Sequence, residues 1–100
     1  MANQHFSNRF GPWGLVLGGS AGLGFALAEA LASRGLDLVI TGRRAAPLEL
    51  AARQLTRQHG RQVRTVVCDL AEPHTLGVLA QTTGELDIGC LVYNAALAPN

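Results

Sequence analysis

The sequence predicts an α/β domain in which helices cover both faces of a parallel sheet, the arrangement called doubly wound. Short apolar runs alternate with longer segments whose apolar residues recur at helical spacing, and glycine or proline stands at most of the boundaries. The first apolar run, Trp13 to Leu17, stops at Gly18 and Gly19, which is typical of a buried parallel strand.

The next two elements are a helix and a strand. The first helix is expected to begin at Gly22 and to end at Gly35, because glycine adopts the left-handed backbone that ends many helices. The second strand is expected from Asp37 to Thr41, a run of aliphatic and β-branched residues that Gly42 ends. This sequence of elements is typical of a βαβ unit.

The same alternation continues through the second half of the chain. The second helix is predicted to have Pro47 in its first turn and to end at Gly60. Val63 to Cys68 is predicted as the third strand, Pro73 opens a weaker third helix, and Ile88 to Tyr93 is the fourth strand. The complete pattern is βαβαβαβ.

The pattern also predicts how the strands are arranged. Right-handed crossovers with the topology of a dinucleotide-binding domain give the strand order 3-2-1-4. The first two helices then share one face, the third helix covers the other, and strand four is an unpaired, nearly all-apolar edge. We therefore interpret residues 1–10 as a polar N-terminal arm and residues 11–100 as the N-terminal part of a dinucleotide-binding, Rossmann-like domain, the first half of a larger fold.

The composition excludes several kinds of partner. The chain has 100 residues, with eight arginines, no lysine, seven acidic residues and a formal net charge of +1. So small a charge gives no dense basic field for nucleic acid or anionic lipid. No run approaches the length of a membrane span, and residues 1–10 lack the apolar stretch of a secretory signal. We expect a cytoplasmic protein without nucleic-acid or membrane partners.

The cysteines and histidines are expected to be structural or solvated. Cys68 and Cys90 each lie in an apolar run, where a free cysteine behaves as a small hydrophobic residue. In the order 3-2-1-4 their strands are three spacings apart, about 14 Å, whereas disulfide-bonded Cα atoms lie within about 7 Å. The histidines, His5, His59 and His74, lack metal-ligand spacing and are interpreted as solvated polar residues, so no metal site is expected.

Three glycines mark a candidate anion site. Gly18, Gly22 and Gly24 follow the first strand and open the first helix. Gly18 permits a sharp exit from the strand, Gly22 lets a phosphate approach the backbone, and Gly24 lets the helix pack close to the sheet. Free N–H groups and the helix macrodipole favour an anion there. A tight turn without a ligand is the alternative interpretation.

The spacing G-x-x-x-G-x-G resembles that of the short-chain dehydrogenase/reductase family. Thr41 to Arg44 is similar to the exit of strand two in members that use NADPH. The stretch from Cys68 to Leu70 resembles the turn whose aspartate and following residue flank the adenine ring in that family. Tyr93 to Ala96 resembles its Asn-Asn-Ala-Gly element, and Arg9 to Trp13 is similar to the lead-in of a bacterial subgroup.

The resemblance implies a cofactor site at the carboxyl ends of the strands. Its implied residues are Gly18, Ser20, Gly22, Leu23, Gly24, Arg43, Asp69, Leu70, Asn94, Ala95 and Ala96. NADP is expected over NAD, because Gly42 stands where NAD sites place Asp or Glu and Arg43 offers a guanidinium to a 2′-phosphate. Leu17 stands where the family usually has threonine, and Ser20 is the candidate to replace that turn-fixing hydroxyl in part.

The resemblance also implies an oxidoreductase, a homo-oligomer when complete, that moves hydride between NADPH and a carbonyl or alcohol. The family attributes catalysis to Ser, Tyr and Lys, and this chain matches none of them, because Tyr93 is followed four residues later by Leu97. The resemblance therefore implies that residues 11–100 are truncated before the catalytic residues. A non-catalytic nucleotide-binding or regulatory module of the same fold remains the alternative. A methyltransferase using S-adenosylmethionine fits less well, because it needs an acidic residue where Gly42 stands.

Overall fold

The structure is a computed structural model that describes residues 12–20, 22–69, 72, 74–84 and 86–93. Within these ranges, four strands alternate with three helices. Their bounds are Trp13–Leu17 (β1), Gly22–Ser33 (α1), Asp37–Gly42 (β2), Ala45–His59 (α2), Val63–Val67 (β3), Thr75–Thr83 (α3) and Ile88–Tyr93 (β4). The predicted polar arm, residues 1–10, lies outside the described residues.

All four strands are parallel and pair in the order β3-β2-β1-β4, which confirms the predicted Rossmann-like arrangement. Val16 in β1 lies opposite Ile40 in β2 and Val92 in β4. The register against β4 shifts between Trp13 and Gly14. Because the strands run in one direction, the turn after β1, the exit of β2 and the turn after β3 all lie at the same edge of the sheet.

The first face of the sheet is covered by α1 and α2, as predicted. The buried cluster here comes from β1, β2, these two helices and the loop between α1 and β2. Its members are Val16, Ala28, Leu31, Ala32, Leu36, Leu38, Ile40, Leu48, Ala51, Ala52 and Leu55. Leu38, Ile40 and Leu55 have no exposed surface, so the burial of this layer stabilises the fold.

The opposite face is covered by α3. Trp13, Leu17, Val39 and Val66 form its buried cluster with Leu79 of the helix. The indole of Trp13 is 8% exposed, and the Arg64 guanidinium carbon lies 5.3 Å from its ring centroid, within reach of a cation–π contact. Trp13 is therefore a packing residue of this face.

Glycines end the first two helices as predicted. Gly35 has φ 94°; its N–H donates to the Ala32 carbonyl, and the Leu36 N–H donates to the Leu31 carbonyl, which together form a Schellman motif. Gly60 has φ 66° and donates its N–H to the Thr56 carbonyl at 2.8 Å. Both are conformations that other residues adopt only with strain.

Some boundaries differ by a residue or two from those predicted. β3 ends at Val67, not at Cys68, although the Cys68 N–H still donates to the Gly42 carbonyl at 2.9 Å. The third helix begins at Thr75, two residues after Pro73, which is outside the described residues. Cys68 and Cys90 are free, in segments at opposite ends of the strand order.

The prediction that His59 is solvated is wrong. Its side chain is 19% exposed, and its Nε2 is buried 3.7 Å from the Glu29 carboxylate. The cause is the packing of α1 beside α2, which brings Glu29 against the last turn of α2. His74 is exposed as predicted, and His5 lies outside the described residues.

Candidate functional site

The turn between β1 and α1 requires glycine at two positions. Gly18 has φ 88° and Gly22 has φ 60°, and among the described residues every positive φ belongs to a glycine. A Cβ added at Gly22 would meet no atom within 4 Å, so the space beside the start of α1 is open. The two predicted glycine roles therefore agree with the backbone, and the turn leaves room for a ligand at Gly22.

The N-terminus of α1 presents amides and no opposing charge. The first four N–H groups of a helix have no partner within the helix, and here the first turn contains no acidic residue. Gly24 is buried, as close packing of the helix on the sheet requires, while Leu23 is 64% exposed beside the turn. Ala21 lies outside the described residues. This end of α1 favours an anion.

Thr41 in β2 fixes the turn, and the sequence analysis missed this role. Its Oγ1 accepts the Gly18 N–H at 3.0 Å, and its main-chain carbonyl accepts the Gly19 N–H at 2.9 Å. The side chain is fully buried. The hydroxyl that Leu17 does not supply therefore comes from the neighbouring strand. The available signal was a polar residue in an otherwise aliphatic stretch next to the predicted first strand.

The exit of β2 lies against the glycine turn. A Cβ added at Gly42 would be 3.4 Å from the Oγ of Ser20 and 3.4 Å from Leu48 of α2. Glycine at this position therefore leaves a narrow gap between the turn and α2. Arg43 and Arg44 follow and are both exposed; Arg44 precedes the first residue of α2 with an extended backbone. Both guanidinium groups are open to solvent at this edge.

The turn after β3 joins the same edge. The Asp69 carbonyl accepts the N–H of Glu72 at 3.0 Å and also accepts the hydroxyl of Thr75, the buried first residue of α3. The backbone of Asp69 thus forms a turn that leads into α3. Burial raises the pKa of the Cys68 thiol, a hydrogen bond with Thr41 lowers it in part, and the Asp69 charge raises it.

The structure brings most of the predicted site residues to one edge. These are Gly18, Ser20, Gly22, Leu23, Gly24, Arg43 and Asp69. Leu70, Asn94, Ala95 and Ala96 lie outside the described residues. Within the described ranges no group of three His, Cys, Asp or Glu side chains is placed to hold a metal ion. Nor is any helix of those ranges long and apolar enough to cross a membrane.

Comparison with known proteins identifies the family. Residues 13–100 match the short chain dehydrogenase family. The chain is 38% identical over 94 residues to a 7beta-hydroxysteroid dehydrogenase of Clostridium sardiniense, covering 94% of this chain and 36% of that protein. It is 32% identical over 97 residues to 17-beta-hydroxysteroid dehydrogenase type 3 of Danio rerio, covering 97% of this chain and 32% of that protein. The chain thus spans 36% or less of the length of these two relatives.

Solved structures agree with this identification. A 7beta-hydroxysteroid dehydrogenase structure superposes with a TM-score of 0.88 at 32% identity, covering 92% of this chain and 36% of that one. The L-sorbose reductase of Gluconobacter frateurii, solved with NADPH and L-sorbose, gives 0.83 at 30% identity, covering 90% and 35%. The chain therefore belongs to the short chain dehydrogenase family and carries the NAD(P)-binding portion of that family's fold.

Proposed function

We propose that the chain binds NADP through its glycine turn and Arg43, within a protein that transfers hydride between the nicotinamide and a carbonyl or alcohol. The observation that carries the proposal is the edge where Gly18, Gly22 and the exit of β2 meet. This edge offers exposed guanidinium groups and the first amides of α1, which have no partner within the helix, and Gly42 adds no carboxylate between them.

The pyrophosphate is assigned to the start of α1. The open space at Gly22 admits a phosphate to the backbone amides of the first helical turn. The macrodipole of α1 adds a favourable charge at the same point, and no acidic side chain of that turn opposes it. Ser20, Leu23 and Gly24 line this end of the helix and complete the proposed contact.

The preference for NADP is assigned to positions 42 and 43. A carboxylate at the end of strand two accepts hydrogen bonds from the ribose 2′-hydroxyl of NAD and repels a 2′-phosphate. Gly42 provides no such carboxylate, while Arg43 is exposed and can pair with the phosphate in a charge-assisted fork. Supporting this, the L-sorbose reductase and a short-chain dehydrogenase of Sphingobium yanoikuyae were both solved with NADPH. The latter is 33% identical to this chain, with a TM-score of 0.77.

The remaining contacts are proposed from the turns after β3 and β4. Asp69 and Leu70 are proposed to flank the adenine ring, and Asn94, Ala95 and Ala96 to line the site beyond β4. The chain contains no lysine, so a Tyr-x-x-x-Lys pair for proton transfer has to come from residues outside it. We assign the substrate only as a carbonyl or alcohol, since the similar proteins act on hydroxysteroids and on sorbose.

The test is a titration of the complete protein with NADPH and NADH, followed by cofactor fluorescence. The parent should bind NADPH more tightly than NADH. Arg43→Ala should weaken NADPH binding roughly ten- to a hundredfold, the value of a charge-assisted contact, and leave NADH binding unchanged.

Arg44→Ala is the matched control, because it removes the same charge from the adjacent exposed position. It should reduce NADPH affinity less than Arg43→Ala does. Equal affinities of the parent for the two cofactors, or an Arg43→Ala variant that loses both alike, would contradict the proposal.

A further inference from the structure

We infer that Thr41 is a positioning residue of the cofactor site: its hydroxyl, on β2, holds the glycine turn on β1 so that the amides at the start of α1 face the pyrophosphate. The inference rests on the proposed function. Thr41 does not touch the cofactor in this account, because it is fully buried beneath the turn. It acts through the backbone of Gly18 and Gly19.

Thr41 makes two hydrogen bonds with the glycine turn. The Gly18 N–H donates to Oγ1 at 3.0 Å, and the Gly19 N–H donates to the Thr41 carbonyl at 2.9 Å. These two amides point toward β2, so they are not the ones offered to a ligand. With both satisfied, the turn is joined to β2 at Gly18 and Gly19, and the amides of the first turn of α1 remain for the phosphate.

Burial makes the hydroxyl difficult to replace. The Thr41 side chain is fully buried, so its Oγ1 accepts the Gly18 N–H at a position with no access to water. An N–H that loses its acceptor there gains no hydrogen bond from solvent, and breaking this contact therefore costs free energy.

The end of β1 supplies no other side-chain acceptor for the glycine turn. Leu17 is apolar and 5% exposed, so its side chain packs into the α3 face and offers no acceptor to the turn. Gly19 is packed tightly, because a Cβ there would lie 3.1 Å from Ile40. A turn that loses the Thr41 hydroxyl keeps its packing at Gly19 but leaves the Gly18 N–H without its partner.

The test compares cofactor affinity in Thr41→Val and Thr41→Ser with the parent, in the complete protein. Thr41→Val keeps the branched shape and removes the hydroxyl. NADPH and NADH affinities should fall by the same factor, roughly five- to thirtyfold, because both cofactors use the pyrophosphate contact. Arg43→Ala should instead reduce NADPH binding alone. Thr41→Ser keeps the hydroxyl and should bind both cofactors like the parent.

A second readout separates positioning from a general loss of stability. Hydrogen exchange of the Gly18 amide, measured without cofactor, should be faster in Thr41→Val than in the parent, and unchanged in Thr41→Ser. Gly14→Ala is the control for stability: its Cβ would crowd Leu31, Leu36 and Leu38, away from the glycine turn. That variant should unfold more easily and still bind both cofactors like the parent.

The outcomes separate the inference from the proposed function. If the parent binds neither cofactor, the proposed function and the inference are both wrong. If the parent binds and Thr41→Val binds equally well, or loses only NADPH, the inference alone is wrong. If Thr41→Val does not fold, Thr41→Ser decides: parental affinity with a protected Gly18 amide supports the inference, and lost affinity overturns it.

Discussion

At the residue scale, burial determines the properties of two side chains at the carboxyl ends of the strands, the Thr41 hydroxyl and the Cys68 thiol. Thr41 is fully buried and bonded to Gly18, while Cys68 lies beside it with its thiol pKa raised, chiefly by burial. A buried thiol resists ionisation because the thiolate loses its hydration. Burial of the Cys68 side chain therefore favours its protonated form, and the Thr41 contact offsets this effect only in part.

This predicts a loss of stability in alkaline solution. The folded protein holds the Cys68 proton to higher pH than the unfolded chain, whose thiol ionises near pH 8.5. Above that pH the unfolded state binds fewer protons, so the free energy of unfolding falls as pH rises. Urea denaturation from pH 7 to pH 10 should show this fall, and Cys68→Ala should lessen it. An equal pH dependence in both proteins would contradict the expectation.

The glycine residues of the site could be predicted from sequence, whereas Thr41 and His59 could not. Gly18 and Gly22 occupy backbone conformations that other residues avoid. This requirement depends on the backbone of the residue itself and not on a partner distant in sequence. The role of Thr41 depends on the strand beside it, and the burial of His59 depends on Glu29 in another helix. Partners distant in sequence leave no periodic signal in a single chain.

At the element scale, β1 and α3 each contain a glycine, but only the glycine in β1 is required by close packing. A Cβ at Gly14 in β1 would lie 3.2 Å from Leu36 and 3.3 Å from Leu31, tighter than ordinary contacts. A Cβ at Gly77 in α3 would meet nothing within 4 Å. The first glycine lets α1 pack close to the sheet, and the second only weakens its helix.

These two positions form a matched pair of alanine substitutions. Gly14→Ala should lower the free energy of unfolding by about 1–3 kcal/mol, the usual cost of overpacking a core. Gly77→Ala should raise it by up to about 1 kcal/mol, because alanine favours a helix over glycine. Urea denaturation of the parent and both variants measures the two changes. Changes of the same sign would show that packing at Gly14 is looser than described.

Element boundaries were predictable where glycine or proline stands at the end. Gly35 and Gly60 end their helices as expected, since each takes the left-handed backbone. The sequence predicts that α3 starts at Pro73, whereas the helix begins at Thr75, after a turn in which the Asp69 carbonyl accepts the Thr75 hydroxyl. That turn depends on a buried hydroxyl, whose burial the sequence pattern does not reveal.

At the scale of the whole molecule, the sheet is covered unequally. Two helices cover one face and one helix covers the other, while β4 pairs only with β1 among the described strands. Leu91 of β4 is 62% exposed and Val67 of β3 is 52% exposed. The strand order and the faces could be predicted, because handedness and apolar periodicity determine them.

The exposed edge predicts self-association of the isolated 100-residue polypeptide. An apolar strand with one unpaired side recruits other chains. Sedimentation velocity over a wide concentration range should show species larger than the monomer. Leu91→Lys places a charge on that strand and should reduce the association, whereas Leu50→Lys, on an exposed position of α2, should not. A clean monomer at all concentrations would contradict the prediction.

An amide NMR titration of the complete protein tests whether the glycine turn and the exit of β2 form a site for NADP. NADP⁺ should shift the amide signals of Ser20, of residues 22–24 and of Arg43. NAD⁺ should shift the first two groups and leave Arg43 nearly unchanged, because it lacks the 2′-phosphate. Shifts confined to other parts of the sheet, or none at saturating NADP⁺, would contradict the account.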